Sequence, residues 1–345
     1  MKRTILAVGL MSATLPASAA GPDVNLAGTF AISLSWYEQH NDPDIDTTDV
    51  DLENNGSNFR ITAATQDVGI RAFAVYERGA SNDRRGSEAE AVREFFGGVS
   101  GQYGTLVTGI KATDYRLAGQ RLDPFYNTSA ATGADGRFAS EGASYGLSRL
   151  TTGYTPNTVA YTSPVLYGAT VNVATFVADN DSDDGVGDEA DYAAGVGYAN
   201  SDLWGLDAGV QVVDFNGSNN IQPGPVGEAS ALRAHVGFGQ GLWSVGASYE
   251  IIDSEFLDDS SEYAFVAATY QVYEALRVAV TAGTVDAADD DFVSDGAGGS
   301  LGMFWDVTKN LNAYWALRYV ALDTDDDETN ATLAAGAKFT FDVDL

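Results

Sequence analysis

The 345-residue chain has no cysteine, which excludes disulfides, thiolate metal sites and a cysteine nucleophile. Its two histidines, His40 and His235, do not form a pair at metal-ligand spacing, and this argues against a zinc hydrolase. Proline is scarce, at 8 residues, and no apolar run approaches the length of a membrane-spanning helix. Positive charge is also scarce: 18 Lys and Arg against 49 Asp and Glu give a net charge of −31, which excludes nonspecific nucleic-acid binding on electrostatic grounds. Such a charge in a poorly hydrophobic chain would mean disorder. Here 45% of the residues are hydrophobic, so the charge belongs on folded surfaces that meet water.

The N-terminus fixes the compartment. Met1-Lys2-Arg3 is followed by a mostly apolar stretch from Thr4 to Leu15 and then by Ala17-Ser18-Ala19-Ala20. A charged start, a short apolar segment and a small-residue cleavage site are the parts of a secretory signal peptide, expected over residues 1–20. Residues 21–345 are then the mature chain, with sixteen Lys and Arg. Export without a membrane helix, together with 38 Gly and abundant Tyr and Phe, leaves a soluble β-protein or an outer-membrane barrel.

Periodicity bears on that choice. Val24, Leu26, Phe30, Ile32, Leu34 and Trp36 alternate with Asn25, Ala27, Thr29, Ala31, Ser33, Ser35 and Tyr37, a period-two strand with one apolar face. The C-terminus repeats the pattern, with Leu333, Ala335, Ala337, Phe339, Phe341, Val343 and Leu345 on one face. Residues 243–251 and 311–319 do the same. A soluble sandwich alternates too, but these segments run to about 9–15 residues, longer than the usual 5–6 and suited to tilted spanning strands. Aromatic residues gather near the segment ends, as in the two girdles of a membrane barrel.

Short turns alternate with long acidic connections over 38–56, 179–190, 215–229, 252–261, 286–297 and 322–330, the rhythm of periplasmic turns and external loops. About sixteen strands result, an even number consistent with both termini at one end. The expected fold is all-β: a transmembrane antiparallel β-barrel. The long connections carry most of the acids, which would crown the outer mouth and suit weak, cation-mediated contact with lipopolysaccharide. Asp179-x-Asp181-x-Asp183 has alternating oxygen ligands, but the twelfth position of that loop is Ala190 and neither flank looks helical, which argues against a calcium loop of the helix–loop–helix type.

Of the sixteen basic residues, eleven fall between residues 60 and 149. On a lipid face each would cost about 2–4 kcal/mol at mid-membrane, so they should point inward and cluster on one wall. Residues 113–156 break the short–long rule, with about 44 residues and little alternation. Loops of that length are functional or disordered. The small polar composition, with Leu117, Leu122, Phe125, Phe138, Leu147 and Leu150 as apolar anchors, suits a loop folded inside a lumen.

The run Arg93-Glu94-Phe95-Phe96-Gly97-Gly98-Val99-Ser100-Gly101-Gln102-Tyr103-Gly104-Thr105-Leu106-Val107-Thr108-Gly109 resembles a motif of the Gram-negative general porins. Asn157-Thr158-Val159-Ala160-Tyr161-Thr162-Ser163-Pro164 resembles the segment after that family's third loop, and Asn58-Phe59-Arg60-Ile61 its second strand. The resemblance implies a homotrimer of sixteen-stranded barrels, each narrowed by an inward third loop with a basic ladder facing acids across the constriction. Carried over, it makes Arg60, Arg71 and Arg93 the ladder, with Arg149 and Lys111 as further candidates. Asp114, Asp123, Asp135 and Glu141 are candidates for the acidic side. Two departures stand out: Ile110 precedes Lys111, and a one-residue shift turns a strand side chain to the other face; and the chain ends in Leu345 where the family usually has Phe.

The expected activity is passive diffusion of ions and small hydrophilic solutes through water, with no cofactor and with weak cation selectivity, because the acidic mouth concentrates cations. The alternatives are a channel selective for sugars or another solute, and a secreted β-scaffold enzyme or binding protein. Gly142-Ala143-Ser144-Tyr145-Gly146 has the spacing of a hydrolase nucleophile elbow, but an elbow needs a strand before it and a helix after it, and this stretch is loop-like.

Overall fold

The computed structural model describes residues 22–42, 45–65, 69–80, 92–132, 145–148, 150, 154–176, 191–216, 228–254, 259–288, 295–323 and 328–345. The signal-peptide segment lies outside them, as does the Asp179–Asp183 motif.

The described chain is one closed antiparallel sheet. Its early strands are β1 (Asp23–Asp42), β2 (Ile45–Asn54), β3 (Asn58–Ala64), β4 (Ile70–Gly79), β5 (Val92–Gly101) and β6 (Gly104–Ala112). After the inner loop come β7 (Tyr154–Thr162), β8 (Ala169–Phe176), β9 (Asp191–Asn200), β10 (Leu206–Asn216), β11 (Glu228–Gln240) and β12 (Trp243–Ser254). The last five are β13 (Ser261–Tyr273), β14 (Leu276–Asp286), β15 (Gly296–Thr308), β16 (Leu311–Leu322) and β17 (Thr329–Asp344). Neighbours in sequence pair around the barrel, and β1 closes it by pairing with β17 from Asn25↔Asp344 to His40↔Thr329.

The other edge of β1 pairs with β3 at its start and with β2 further along. β2 and β3 are therefore two halves of one stave, interrupted at Asn55-Gly56-Ser57, and the barrel has sixteen staves. The interruption is bonded rather than open: Ser57 Oγ accepts from the Ala31 amide at 2.9 Å, and Gly56 takes a positive φ of 77° that suits a residue without Cβ. Residues 38–56, expected as a long loop, are instead mostly strand, a hairpin continuing β1. The cue is a period of two hidden by acids: Asp49, Asp51 and Glu53 alternate with Val50 and Leu52, which are 48% and 63% exposed.

Alternation gives the wall two chemistries. In β1 the side chains of Phe30, Leu34 and Trp36 are exposed, while Ala31, Ser33, Ser35 and Tyr37 are buried toward the interior. In β16, Trp315, Leu317 and Tyr319 are exposed, against buried Tyr314, Ala316, Arg318 and Val320. An apolar outer surface on this scale is unsuited to water and fits lipid. Closure matters equally, because a bilayer offers no partner for an unpaired strand edge. Exposed Tyr103, Trp204, Trp243, Tyr273 and Trp305 ring the end that carries the short turns, and Trp36, Tyr192, Tyr249 and Tyr319 lie toward the other. The start of β1 and the C-terminal Leu345 sit at the short-turn end, where the Leu345 amide donates to the Val24 carbonyl at 2.8 Å.

Among the described residues one helix interrupts the β pattern, α1 (Asp114–Leu122), where the sequence reading expected only loop. Thr113 caps it by accepting from the Arg116 amide at 3.0 Å, Asp114 lies in the first turn and Arg121 in the last. Tyr115, Ala118, Gly119 and Leu122 recur at helical spacing, and Pro124 stops the helix by disfavouring helical geometry at Asp123. Nine residues are too few to stand alone in water, so α1 depends on the wall it packs against.

Candidate pore constriction

The described parts of the loop between β6 and β7 lie inside the barrel and are seated at three places. At the first, Tyr115 and Leu150 join Phe176, Val213 and Phe215 in an apolar cluster between α1 and the wall. Here the fully buried Glu250 of β12 accepts from the Arg233 guanidinium at 2.8 Å, from the Ser148 amide at 3.2 Å and from the Tyr115 hydroxyl. Burial, with the Glu250 carboxylate beside it, pushes the Tyr115 hydroxyl well above its ordinary range, so it stays a donor. At the second seat, Tyr145 and Leu147 pack on Phe265 and Val320, and the Tyr145 hydroxyl meets Thr281 at 2.8 Å and Ser300 at 2.7 Å. At the third, Phe125 packs on Phe304 and Tyr314, while Ser129 bonds Ser33 of β1 and Asn55 at the stave break.

Glycine makes room for the second seat. A Cβ on Gly298 would lie 2.9 Å from the Tyr145 ring and 2.8 Å from Val320. Gly298→Val should therefore unseat Tyr145, lowering unfolding stability by about 1–3 kcal/mol, the usual range for overpacking, and raising single-channel current fluctuation. Chemical denaturation in detergent and planar-bilayer recording would measure both; an unchanged denaturation midpoint would contradict the seat.

These seats fasten the described parts of the loop to β8 through β17 and to β1, and none of the three reaches β3, β4 or β5. On that wall Arg60, Glu77 and Glu94 stand in one row across three strands. Arg60 Nη1 lies 3.3 Å from Glu77 and 2.8 Å from Glu94. The register between β4 and β5 slips, with Glu77 opposite Glu94 but Arg78 opposite Val92, which leaves Arg93 as an extra residue. A bulge of this kind re-aims a side chain. Arg93 donates from Nη1 to the Gly56 carbonyl at 3.0 Å, although simple alternation would have turned it away from Glu94. From the loop, Arg116 stacks 3.8 Å above the Tyr154 ring and donates to the hydroxyls of Tyr126 at 2.8 Å and Tyr154 at 3.1 Å. A mixed Arg–Glu wall thus stands near an arginine of the loop, with Glu77, Glu94 and Arg116 all buried.

The model for Gram-negative porins matches residues 5–329. The chain belongs to the Gram-negative porin family. Solved structures of similar fold include an anion-selective porin from Comamonas acidovorans, with TM-score 0.73 and 14% identity, covering 93% of this chain and 100% of that one. OmpF of Salmonella typhi in complex with daunomycin has TM-score 0.65 and 14% identity, covering 93% and 98%. OmpT of Vibrio cholerae, folded in vitro and in a trimer form, has TM-score 0.60 and 14% identity, covering 93% and 100%. At these identities the structures establish the fold. No curated protein matches the sequence. This porin is an outer-membrane β-barrel channel.

The residues nominated from sequence are scattered by the structure. Arg60 and Arg93 come together with Glu77 and Glu94, while Arg71 faces the interior nearer the short-turn end, about 20 Å along β4 from Glu77 at roughly 3.3 Å per residue. Lys111 and Asp114, nominated for opposite sides, are partners at the loop root, 3.7 Å apart. Asp123 is buried at 5% exposure and holds the loop's turn, accepting from the amides of Phe125 at 2.8 Å and Thr132 at 3.1 Å. Arg149, Asp135 and Glu141 lie outside the described residues. Of the apolar anchors, Phe125, Leu147 and Leu150 are buried, Leu117 is exposed, and Phe138 is outside the described residues. Arg116, Glu94 and Glu250 were missed. The Thr113 cap placed Arg116 on a helix, and the Glu94–Arg93 adjacency was the trace of a bulge.

Proposed function

We propose that this porin is a general diffusion channel for ions and small hydrophilic solutes. The observation that supports the reading is a closed barrel with an apolar outer face and a loop seated inside it, beside a polar wall of Arg60, Glu77 and Glu94. Family and fold point to a channel rather than an enzyme. Export by the N-terminal segment, residues 1–20, and lipopolysaccharide contact by the acidic loops belong to the same proposal. So does homotrimerisation, which the trimer form of the similar Vibrio cholerae protein supports.

Selectivity needs a revised reading. The cation preference expected from the acidic mouth finds no support in the comparisons, which include an anion-selective porin. Two charge layers compete. Mouth carboxylates act across a wide opening, and salt screens them beyond about 3 Å at 1 M against about 30 Å at 0.01 M. Within the lumen Arg60 is the exposed member of its row, its side chain 38% exposed against 11% and 10% for Glu77 and Glu94, while Arg116 is buried. Charges in a narrow passage are screened less. The proposal is a preference for anions near 1 M salt that weakens or inverts as salt is lowered. Reversal potentials across a salt gradient, measured at both ionic strengths, test this; a cation preference of equal size at both would refute the revised sign. Absence of any conductance from protein reconstituted in planar bilayers would refute the channel.

A further inference from the structure

Three of the interior cations described above have a carboxylate partner, and Arg116 has two tyrosine hydroxyls. Arg60 has Glu77 and Glu94, Lys111 has Asp114, and Arg233 has Glu250. Arg277 of β14 and Lys338 of β17 do not follow this pattern. Both belong to the interior face near the short-turn end, and among the described residues no carboxylate lies within ion-pair distance of either. In a chain with 49 acids and 18 Lys and Arg, two cations left together without a carboxylate call for an account.

They line one cavity of about 290 Å³ beneath the loop. Lys309, at the turn between β15 and β16, adds a third positive charge to its lining. The only acid in that lining is Asp306, which is exposed and accepts from Asn312 at 2.9 Å. The roof is the turn of the loop, including Tyr126, and the floor includes Phe304. Arg277 lies over the Phe304 ring at 4.8 Å, which orients its guanidinium across an aromatic surface. Arg277 and Lys338 stand on strands three spacings apart, about 14 Å at the backbone, wide enough for a solute to sit between their long side chains. Like charges held close repel. An anion between them would remove that repulsion, and the aromatic surfaces would cover an apolar body.

We propose that this cavity is a binding station for small organic oxyanions, carboxylates or phosphate monoesters carried on an apolar body, on the short-turn side of the constriction. The station rests on the porin reading, since it works on solutes in transit. Arg277 and Lys338 hold the oxyanion, Asn312 donates to it, and Phe304 and Tyr126 flank its body.

The test is block of ion current through the purified channel in a planar bilayer by benzoate and by phenyl phosphate, with benzyl alcohol as the uncharged probe. Benzoate and phenyl phosphate should interrupt the current, and benzyl alcohol should not. Lys338→Gln and Arg277→Gln should each weaken block about fivefold or more, and Asp306→Asn should strengthen it by removing the opposing charge. The opposite signs separate charge recognition from simple damage to the wall. Equal block by benzyl alcohol, or block that none of the three substitutions moves, would overturn the station. A protein that forms no channels would instead overturn the porin reading beneath it.

Discussion

Glu250→Ala is expected to lower the unfolding free energy by about 3–5 kcal/mol, the range for removing one partner of a buried ion pair. Glu250 and Arg233 are both fully buried, 2.8 Å apart. Arg233 also donates to the Tyr115 carbonyl at 2.8 Å and stacks 4.3 Å from the Tyr115 ring. The carboxylate thus fastens both limbs of the loop, Tyr115 on the outgoing helix and Ser148 on the return. Without it a guanidinium remains in a site closed to water, and Tyr115 and Ser148 lose their acceptor. α1 should loosen from the wall, with larger current fluctuations and faster tryptic cleavage at Arg116 and Arg121. Glu250→Gln keeps an acceptor and should cost less. A double replacement of Arg233 and Glu250 by Met should recover much of the stability, because it leaves no buried charge, while failing to restore a quiet channel. A loss under about 1 kcal/mol in Glu250→Ala, below the cost of a typical unpaired buried group, would show that the contact is not what holds the loop.

The architecture was legible because lipid on one side and water on the other impose a strict period of two. Phe30, Leu34 and Trp36 against Ser33 and Ser35 give the face of β1 without any knowledge of its partners. The same rule, read less strictly, would have found β2, where Val50 and Leu52 were passed over because acids surrounded them. Where the rule breaks, the sequence is ambiguous. Arg93 and Glu94 are adjacent, so one of them should face lipid, and only the slip between β4 and β5 resolves the conflict. The constriction was less legible for a different reason. Its parts meet across distances that no local pattern encodes: Tyr115 and Glu250 are 135 residues apart, and Tyr145 and Ser300 are 155. Acids were assigned to the pore by proximity in sequence, whereas Asp123 serves a turn and Asp114 a neighbouring lysine. Glu77 and Glu94, which pair with Arg60, sit on the wall that had been expected to be basic.

That mixed wall gives the second large effect. Arg60→Gln should shift the channel toward cations, raising the cation-to-anion permeability ratio by about 2–10-fold, because charges lining a narrow passage set which ion enters. Arg60 is the only cation within ion-pair distance of Glu77 and Glu94 among the described residues. Those two carboxylates stand directly opposite each other on β4 and β5, a like-charge pair that is destabilising unless something bridges it. Removing the bridge subtracts one positive charge and unmasks two negative ones facing water. Arg60→Lys should fall between, since an ammonium is a single point charge and cannot span both acids as a planar guanidinium does. Glu77→Gln with Glu94→Gln should move the ratio the other way by leaving Arg60 without its partners. Reversal potentials of all the variants in one salt gradient read the effect, and high salt should be used so that the mouth acids contribute least. If the variants share the wild-type reversal potential, the row Arg60–Glu77–Glu94 is not where ions are sorted, and the passage is governed by the loop face that carries Arg116.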